Sequence, residues 1–412
     1  MIKSKNNRNI NKVQKKVKSK AYDPKLIQKI SVYKNKEFIG YLNRTQMGCE
    51  LHIDPNYKAK NPDKYITYHI STVTNIQTFN GVGLPAYFAG LLPEGLRLKA
   101  LTKKIKTSPD DMFSLLVAAG NDPIGDLHFS INENRTADIS IFSDFKKIKQ
   151  NIRNITNSET TSVAGVQDKI STERISLPIQ FKNKNKSYIL KLASDEFGES
   201  IENEMICLVI AKSCGLKVNQ AQIVQDKNNI KALLVERFDR SWDDKSKNWI
   251  RWHQEDACQF LNKYPADKYN ISLQDIAEGI QKFASSPEIE VLKLLELKAF
   301  SYLIGNGDLH AKNITLLNDQ LSPCYDLLCT AIYGDHKMAL LIDGKNQNLK
   351  RKTFINFGQR YGLSDRATEL MLDRLINKFE KNYEKIFVLE LAQTKRKSLT
   401  QMFKTRIKNL SN

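Results

Sequence analysis

The sequence lacks long apolar runs. No window approaches the roughly 18 consecutive apolar residues of a membrane-spanning helix, so none is expected. The basic N-terminus has no apolar core segment behind it, which argues against a secretory signal. Cysteine is scarce, at 6 residues, and Cys49, Cys207, Cys214, Cys258, Cys324 and Cys329 form no CxxC pair. A zinc site is therefore not expected, and a reduced, cytoplasmic setting is. Several of these thiols sit in apolar, helix-like runs, where free Cys behaves as a small hydrophobe. No repeat of fixed period recurs. Acid is short relative to base, 45 residues against 64, for a net charge of +19. The first 20 residues hold eight Lys/Arg and no acid; they carry +8 and leave +11 to the rest. Such a tail is either a disordered arm able to touch nucleic acid or a solvated extension.

The remaining composition, 41% hydrophobic and 26% charged, is that of an ordinary globular chain long enough for two or three domains. After the basic tail (1–25), "KISVYKNKEFIGYLN" reads as two strands around the polar turn at Lys34–Lys36. "PAYFAGLLPEGLRLKALTKKI" reads as helix, Pro93–Gly95 turn and helix, and "FSLLVAAGNDPIGDLHFS" as a helix ending near Gly120, a turn and a strand. These make an N-terminal α/β subdomain over 26–140. The next block, 141–240, has strand rhythm in "KISTERISLPIQF" and "KSYILKLAS". It is then helical in "SIENEMICLVIAKSCGLKV", closed by Gly215 as C-cap, and returns to strands in "QAQIVQ" and "IKALLVERFDR". Beyond Trp242 the pattern is helical over 254–263, 273–284, 288–305 and most of 365–410, a lobe spanning 241–412. The fold class expected is α+β, a two-lobed protein-kinase-like layout with an extra N-terminal subdomain and an all-helical C-lobe.

The densest chemistry lies in "IGNGDLHAKNITLL" (304–317). A buried-looking helix stops at Asn306–Gly307, Asp308 follows in a loop, and Asn313 comes five residues later. "ITLL" reads as a strand, "NDQ" as a turn and "LSPCYDLL" as a return strand carrying Asp326. A hairpin of that length brings its ends together, so Asn313 and Asp326 are expected within metal-bridging distance. Phosphoryl transfer needs a carboxylate to orient and deprotonate a hydroxyl, and hard oxygen ligands for Mg²⁺ on the β/γ-phosphates. Asp308 to Asn313 reproduces the Asp-x-x-x-x-Asn spacing of a kinase catalytic loop, with Asp326 where a metal Asp falls. The bland reading is an Asp-rich turn with capping duties.

On the nucleotide side, Lys191 stands alone in apolar "YILKLA", where an unpaired ammonium is costly to bury. Glu204 is the natural partner and Glu202 the competitor. "LVERFDR" offers backbone near Glu236 and Phe238 to meet adenine, against a reading as a plain strand end. His310 and Lys312 are counted among the nucleotide-side residues. "TSVAGVQDK" holds one glycine, so neither a Walker nor a G-x-G-x-x-G loop is present.

These segments, together with "QEDACQFL", "NGDLHAKN", "SPCYDLL", "FAGLLPEGLR" and "LLVAAGNDPIGDLHF", occur in the order seen in HipA-type kinases, the toxins of type II toxin–antitoxin systems. The resemblance covers roughly residues 30–345. It implies a serine/threonine protein kinase using ATP and Mg²⁺, with substrates among translation components such as aminoacyl-tRNA synthetases. It also implies growth arrest, a HipB-like helix-turn-helix antitoxin, and operator DNA reached through that antitoxin, with direct contact through the basic surface a second route. Carried over by motif, Asp308 is the catalytic acid–base residue, Asn313 and Asp326 the metal site, and Lys191 the ATP lysine. Ser162, Val163, Ala164 and Gly165 fall in the phosphate loop, and Ser162 is the autophosphorylation candidate, with Thr160 and Thr161 as alternatives.

The sequence departs from the pattern at three points. His310 stands where Ser/Thr kinases often carry Lys. Leu327–Leu328 follow the metal Asp, and the segment after them is short. Two other readings stay open: a small-molecule kinase of the aminoglycoside/choline type, and a catalytically silent co-repressor. His253 reads as a packed helix-start residue, and Trp242, Trp249 and Trp252 as packing or interface residues. The Lys/Arg run 394–408 reads as a solvated helix face.

Overall fold

The computed structural model describes residues 23–81, 83–120, 122–131, 144–156, 175–180, 185–193 and 197–412. The basic tail to residue 22 and the segment 157–174, with Thr160, Thr161 and Ser162 to Gly165, lie outside the described residues.

The N-terminal unit is built on a five-stranded antiparallel sheet. Its order is Ile76–Asn80, Gly48–Ile53, Glu37–Arg44, Lys29–Lys34, Leu127–Ser130. The alternation that predicts strands also selects the face: Ile30, Val32, Ile39, Leu42, Cys49, Leu51, Leu127 and Phe129 all turn inward. Against them pack the short helix Ala86–Gly90, through Tyr87 and Phe88, and the helix Met112–Ala119, through Phe113 and Leu116.

The second sheet, ordered Ala221–Gln225, Lys231–Glu236, Ser187–Leu192, Ile175–Gln180, is antiparallel and covered on both faces. Period-two alternation divides the covering. Leu233 and Val235 meet Ile201 of the helix Ser200–Cys214. Leu190, Leu192, Ala232 and Leu234 meet Leu96 of the helix Gly95–Ile105 and Phe145 and Ile148 of the helix Phe145–Thr156. Lys191 is therefore on the Ser200–Cys214 side of its strand.

The largest core belongs to the helical lobe. It gathers Leu273–Phe283, Pro287–Ile304, Arg351–Arg360, Asp365–Glu380 and Gln393–Ser411 around Phe300, Phe354, Phe357, Phe379 and Phe403. All six cysteines are unpaired, and five are buried. Among the described residues no helix is long and apolar enough to cross a membrane.

Three local expectations are corrected. The stretch 254–263 is a strand, Gln254–Asp256, running into a single-turn helix, Ala257–Phe260, because Gln254–Asp256 pairs with Thr315–Leu317. Tertiary pairing overrides the local helical pattern there. The helical lobe thus carries a small three-stranded sheet, completed by Gln320–Leu321. The return strand is only those two residues, so Asp326 is not on a strand; its backbone is left-handed, with φ 55°. Within the basic run near the C-terminus, Lys395, Arg396, Lys397, Lys404 and Lys408 are exposed, but Arg406 is buried and binds the carbonyls of Tyr302 and His336.

Candidate active site

The helix Ser200–Cys214 ends as its sequence demands, with Gly215 at φ 102° and its N–H on Lys212 C=O. It lays its buried Glu204 under the sheet. Lys191 Nζ donates to Glu204 Oε1 at 2.7 Å and to Asp326 Oδ1 at 2.9 Å. Glu204 is fully buried, where the Lys191 ammonium offsets part of the cost of keeping a carboxylate from water. Glu202, the competitor, faces the other way and pairs with Lys231 at 2.8 Å.

The helix Pro287–Ile304 stops at Gly305, whose φ of 82° favours glycine. At Gly307 a β-carbon would stand 2.6 Å from Lys337 O and 2.8 Å from Thr330 Oγ1. This close approach lets the Gly307 N–H donate to the Thr330 hydroxyl at 2.6 Å. The chain then runs through Asp308 into the single 3₁₀ turn Ala311–Asn313. Asp308 N–H donates to Asn306 Oδ1 at 3.0 Å, and Asp308 Oδ1 accepts from the Tyr269 hydroxyl at 3.0 Å. Asn313 Oδ1 accepts the His310 N–H at 3.0 Å, while its Nδ2 lies 3.3 Å from Asp326 Oδ2. His310 is buried, its ring set edge-on against Tyr269 at 5.1 Å, and burial holds its imidazole below the usual range despite nearby Asp308. Its Nδ1 has no hydrogen-bond partner among the described residues.

The segment carrying Asp326 is tied at both ends. Before it, the Tyr325 hydroxyl donates to Lys312 C=O at 2.7 Å, and the Tyr325 ring leans on Phe238 at 5.7 Å. After it, Asn203, fully buried on the helix of Glu204, takes the Cys329 N–H at 2.9 Å and gives its amide to Cys329 C=O at 3.2 Å. One helix therefore fixes the segment twice, through Asn203 and through Glu204–Lys191.

The donor set suits Mg²⁺, which prefers hard oxygens, uses one or two carboxylates and leaves the remaining positions to phosphate and water. Asp326 supplies a carboxylate with some solvent access, and Asn313 an amide beside it. The amide presents nitrogen to Asp326, so its side chain would have to turn for its oxygen to join the carboxylate.

The structure brings Lys191, Glu204, Asn313 and Asp326 together, with Asp308 and His310 on the same loop. It does not bring Lys312 or Glu236 into that cluster. Lys312 Nζ is bound by Asp256 at 2.8 Å, Glu94 at 3.1 Å and Gly90 C=O at 3.3 Å. Glu236 pairs with Lys186 at 2.7 Å, and its N–H and C=O are engaged by Gln220 and Asn219. Phe238 lies half-buried beside Tyr325. Sequence reasoning missed Tyr269, Asn203, Thr330 and Glu94. The one available signal was Asn203, a polar residue at an inward position beside Glu204. His253, read as packed at a helix start, instead precedes a strand and lies between Asp126 at 3.3 Å and Glu255 at 3.2 Å. Trp242 and Trp249 pack edge to face across a hairpin.

The HipA-like C-terminal domain matches residues 161–383, and the HipA N-terminal domain matches residues 30–130. The Y4mE protein of Sinorhizobium fredii is 30% identical over 290 residues, 64% of this chain and 68% of that protein. The serine/threonine-protein kinase toxin HipA of Shewanella oneidensis is 27% identical over 290 residues, 62% of this chain and 66% of that one. A solved complex of Shewanella oneidensis MR-1 HipA with HipB and operator DNA contains a chain of the same fold. Its TM-score is 0.73 at 18% identity, over 93% of this chain and 96% of that one.

Proposed function

The chain belongs to the HipA family of toxin kinases, and we propose that it transfers the γ-phosphoryl group of ATP to a serine or threonine hydroxyl of a protein. The observation that carries this reading is the Lys191 ammonium held between Glu204 and Asp326, with the Asn313 amide on the same carboxylate. A strand lysine paired to a helix glutamate, above an Asp–Asn pair, is the arrangement that phosphoryl transfer requires.

In this reading Lys191 leaves Asp326 to meet the triphosphate while Glu204 keeps it in register. Asp326 and Asn313 would hold Mg²⁺, which supplies positive charge against the β- and γ-phosphates. Asp308 orients the incoming hydroxyl and takes its proton. The Tyr269 hydroxyl occupies Asp308 Oδ1, so Oδ2 is the oxygen left for that work. Buried, neutral His310 adds no second positive charge beside the base. A silent co-repressor would have no use for a lysine desolvated between two acids, and that reading gains no support.

The finer expectations complete the proposal. Ser162 would be the self-modification site, with Thr160 and Thr161 as alternatives. A phosphate there adds about −2 charge and would repel the γ-phosphate, closing the site to ATP. The protein target would be a translation component, and a HipB-like antitoxin would bind the kinase and link it to operator DNA. The test is transfer of label from ATP to the chain itself or to purified translation factors. Wild type is expected to label, Asp308→Ala to fall by about 10³-fold or more, and Ser162→Ala to lose the mapped self-modification. Undiminished labelling in Asp308→Ala would remove Asp308 as base.

A further inference from the structure

We propose that Glu94, from the N-terminal unit, is a positioning residue of the phosphoryl-transfer site, holding the Asp308–Asn313 loop through Lys268 and Lys312; this rests on the kinase reading above.

Glu94 follows Pro93 and precedes Gly95, whose φ of 55° makes the turn into the helix Gly95–Ile105. Glu94 is the N-cap of that helix. A short polar side chain such as Asp or Ser at this position caps the helix by accepting one of its first free N–H groups. Glu94 makes no side-chain cap bond. Its carboxylate is directed outward instead: Oε2 takes Lys268 Nζ at 2.8 Å and Oε1 takes Lys312 Nζ at 3.1 Å.

Both lysines serve the Asp308 loop. Lys312 belongs to it. Lys268 accepts the Ala311 N–H on its own C=O at 3.2 Å, and the next residue, Tyr269, binds Asp308 through its hydroxyl and packs its ring on His310. Glu94 thus closes a clamp from the loop's brace, 268–269, to the loop's far end. The clamp continues through Lys312 to Asp256, which caps the helix Ala257–Phe260. Partial burial alone would raise the Glu94 pKa, but Lys312 and Lys268 outweigh it and hold the group at about 2. The clamp is therefore charged throughout the neutral range. No other side chain of the N-terminal unit joins both Lys268 and Lys312 among the described residues.

A salt bridge that merely glued two units together would behave like the His253 contact with Asp126, which also joins them but lies away from the Asp308 loop. The test therefore compares Glu94→Gln, which keeps shape and removes charge, with His253→Gln, both in the full chain. Lys268→Met provides a second break in the clamp. Backbone hydrogen exchange is followed over residues 308–313, alongside thermal melting and steady-state kinetics with ATP. Glu94→Gln and Lys268→Met are expected to speed exchange in that loop by about tenfold, whereas His253→Gln leaves it protected. Their kcat should fall by about 10–100-fold with KM for ATP within about threefold, because a small displacement of the base is costly while nucleotide contacts persist. Unchanged loop exchange in both clamp variants, or equal loosening in His253→Gln, overturns the inference. Should the loop loosen while even wild type leaves ATP untouched, the positioning role stands and the kinase reading falls. Should wild type turn over ATP while both clamp variants keep its kcat and its loop protection, the reverse holds.

Discussion

Two lysines in this molecule are each held between two carboxylates, and their difference separates chemistry from architecture. Lys191 lies between Glu204 and Asp326, and Lys312 between Asp256 and Glu94. The distances are nearly the same. The surroundings are not. Lys312 makes a third bond, to Gly90 C=O, so its three N–H donors are all directed at protein groups. Lys191 has one partner sealed in the core and one, Asp326, whose side chain is 23% exposed and sits beside Asn313. An ammonium with one fixed and one exchangeable anion can hand itself to an incoming phosphate. One bound on all sides can only hold structure.

The comparison breaks most visibly at Lys191. Lys191→Met is expected to lower phosphoryl transfer by about 10²–10³-fold, the usual loss when a preorganised charge at a transferring group is removed. It also takes the ammonium away from the fully buried Glu204, a cost of about 3–5 kcal/mol in unfolding free energy. Lys312→Met should destabilise by about 2 kcal/mol, measured by urea unfolding. The smaller figure follows from the 37% exposure of the Glu94 side chain, where water replaces part of what is lost. Its KM for ATP should stay near wild type, while that of Lys191→Met rises. Equal KM changes in the two variants would erase the distinction. Asn203→Ala comes next. It strips two bonds from the Cys329 backbone and should cost about 1–3 kcal/mol and roughly tenfold in kcat, since the segment then loses its hold on the side after Asp326. A variant with full activity would show that the segment keeps its place without Asn203.

What the sequence disclosed and withheld follows the same division. Asp308, Asn313 and the helix before them were legible because their geometry is local: a glycine stop, a five-residue spacing and a short strand dictate one another. Lys191 with Glu204 was legible because an isolated ammonium in an apolar strand requires an acid on the adjoining helix. The meeting of Asp326 with Asn313 was anticipated, but by a hairpin that the chain does not complete. Two residues of return strand give way to a left-handed Asp326, which Tyr325 and Asn203 hold from either side. Glu94 and Asp256 were invisible in this role. Their partners are remote in sequence, and no periodicity records a contact that only packing of whole units creates. The strand at Gln254–Asp256 was misread for the same reason, its partner lying far along the chain at Thr315–Leu317.

The smallest expected effect sharpens the comparison by adding a third cation between two acids, one that titrates. His253 lies between Asp126 of the N-terminal unit and Glu255 of the helical lobe, with Lys34 on the other side of Asp126 at 2.8 Å. Burial disfavours the charged imidazole, but the bonds to Asp126 and Glu255 outweigh it and raise the His253 pKa above 6.5. A raised folded-state pKa means that the proton stabilises the fold. That contribution is fully present below about pH 6.5, the unfolded value, and disappears as pH rises through the higher folded value. Lys312, whose ammonium Asp256 and Glu94 hold charged against its burial, should show no such dependence between pH 6 and 9. Melting temperatures of wild type and His253→Gln should therefore lie furthest apart near pH 6 and converge towards pH 9. A constant separation across that range would mean that His253 joins the two units as a neutral hydrogen-bonding ring, and that of the three cations none is a proton-sensitive link.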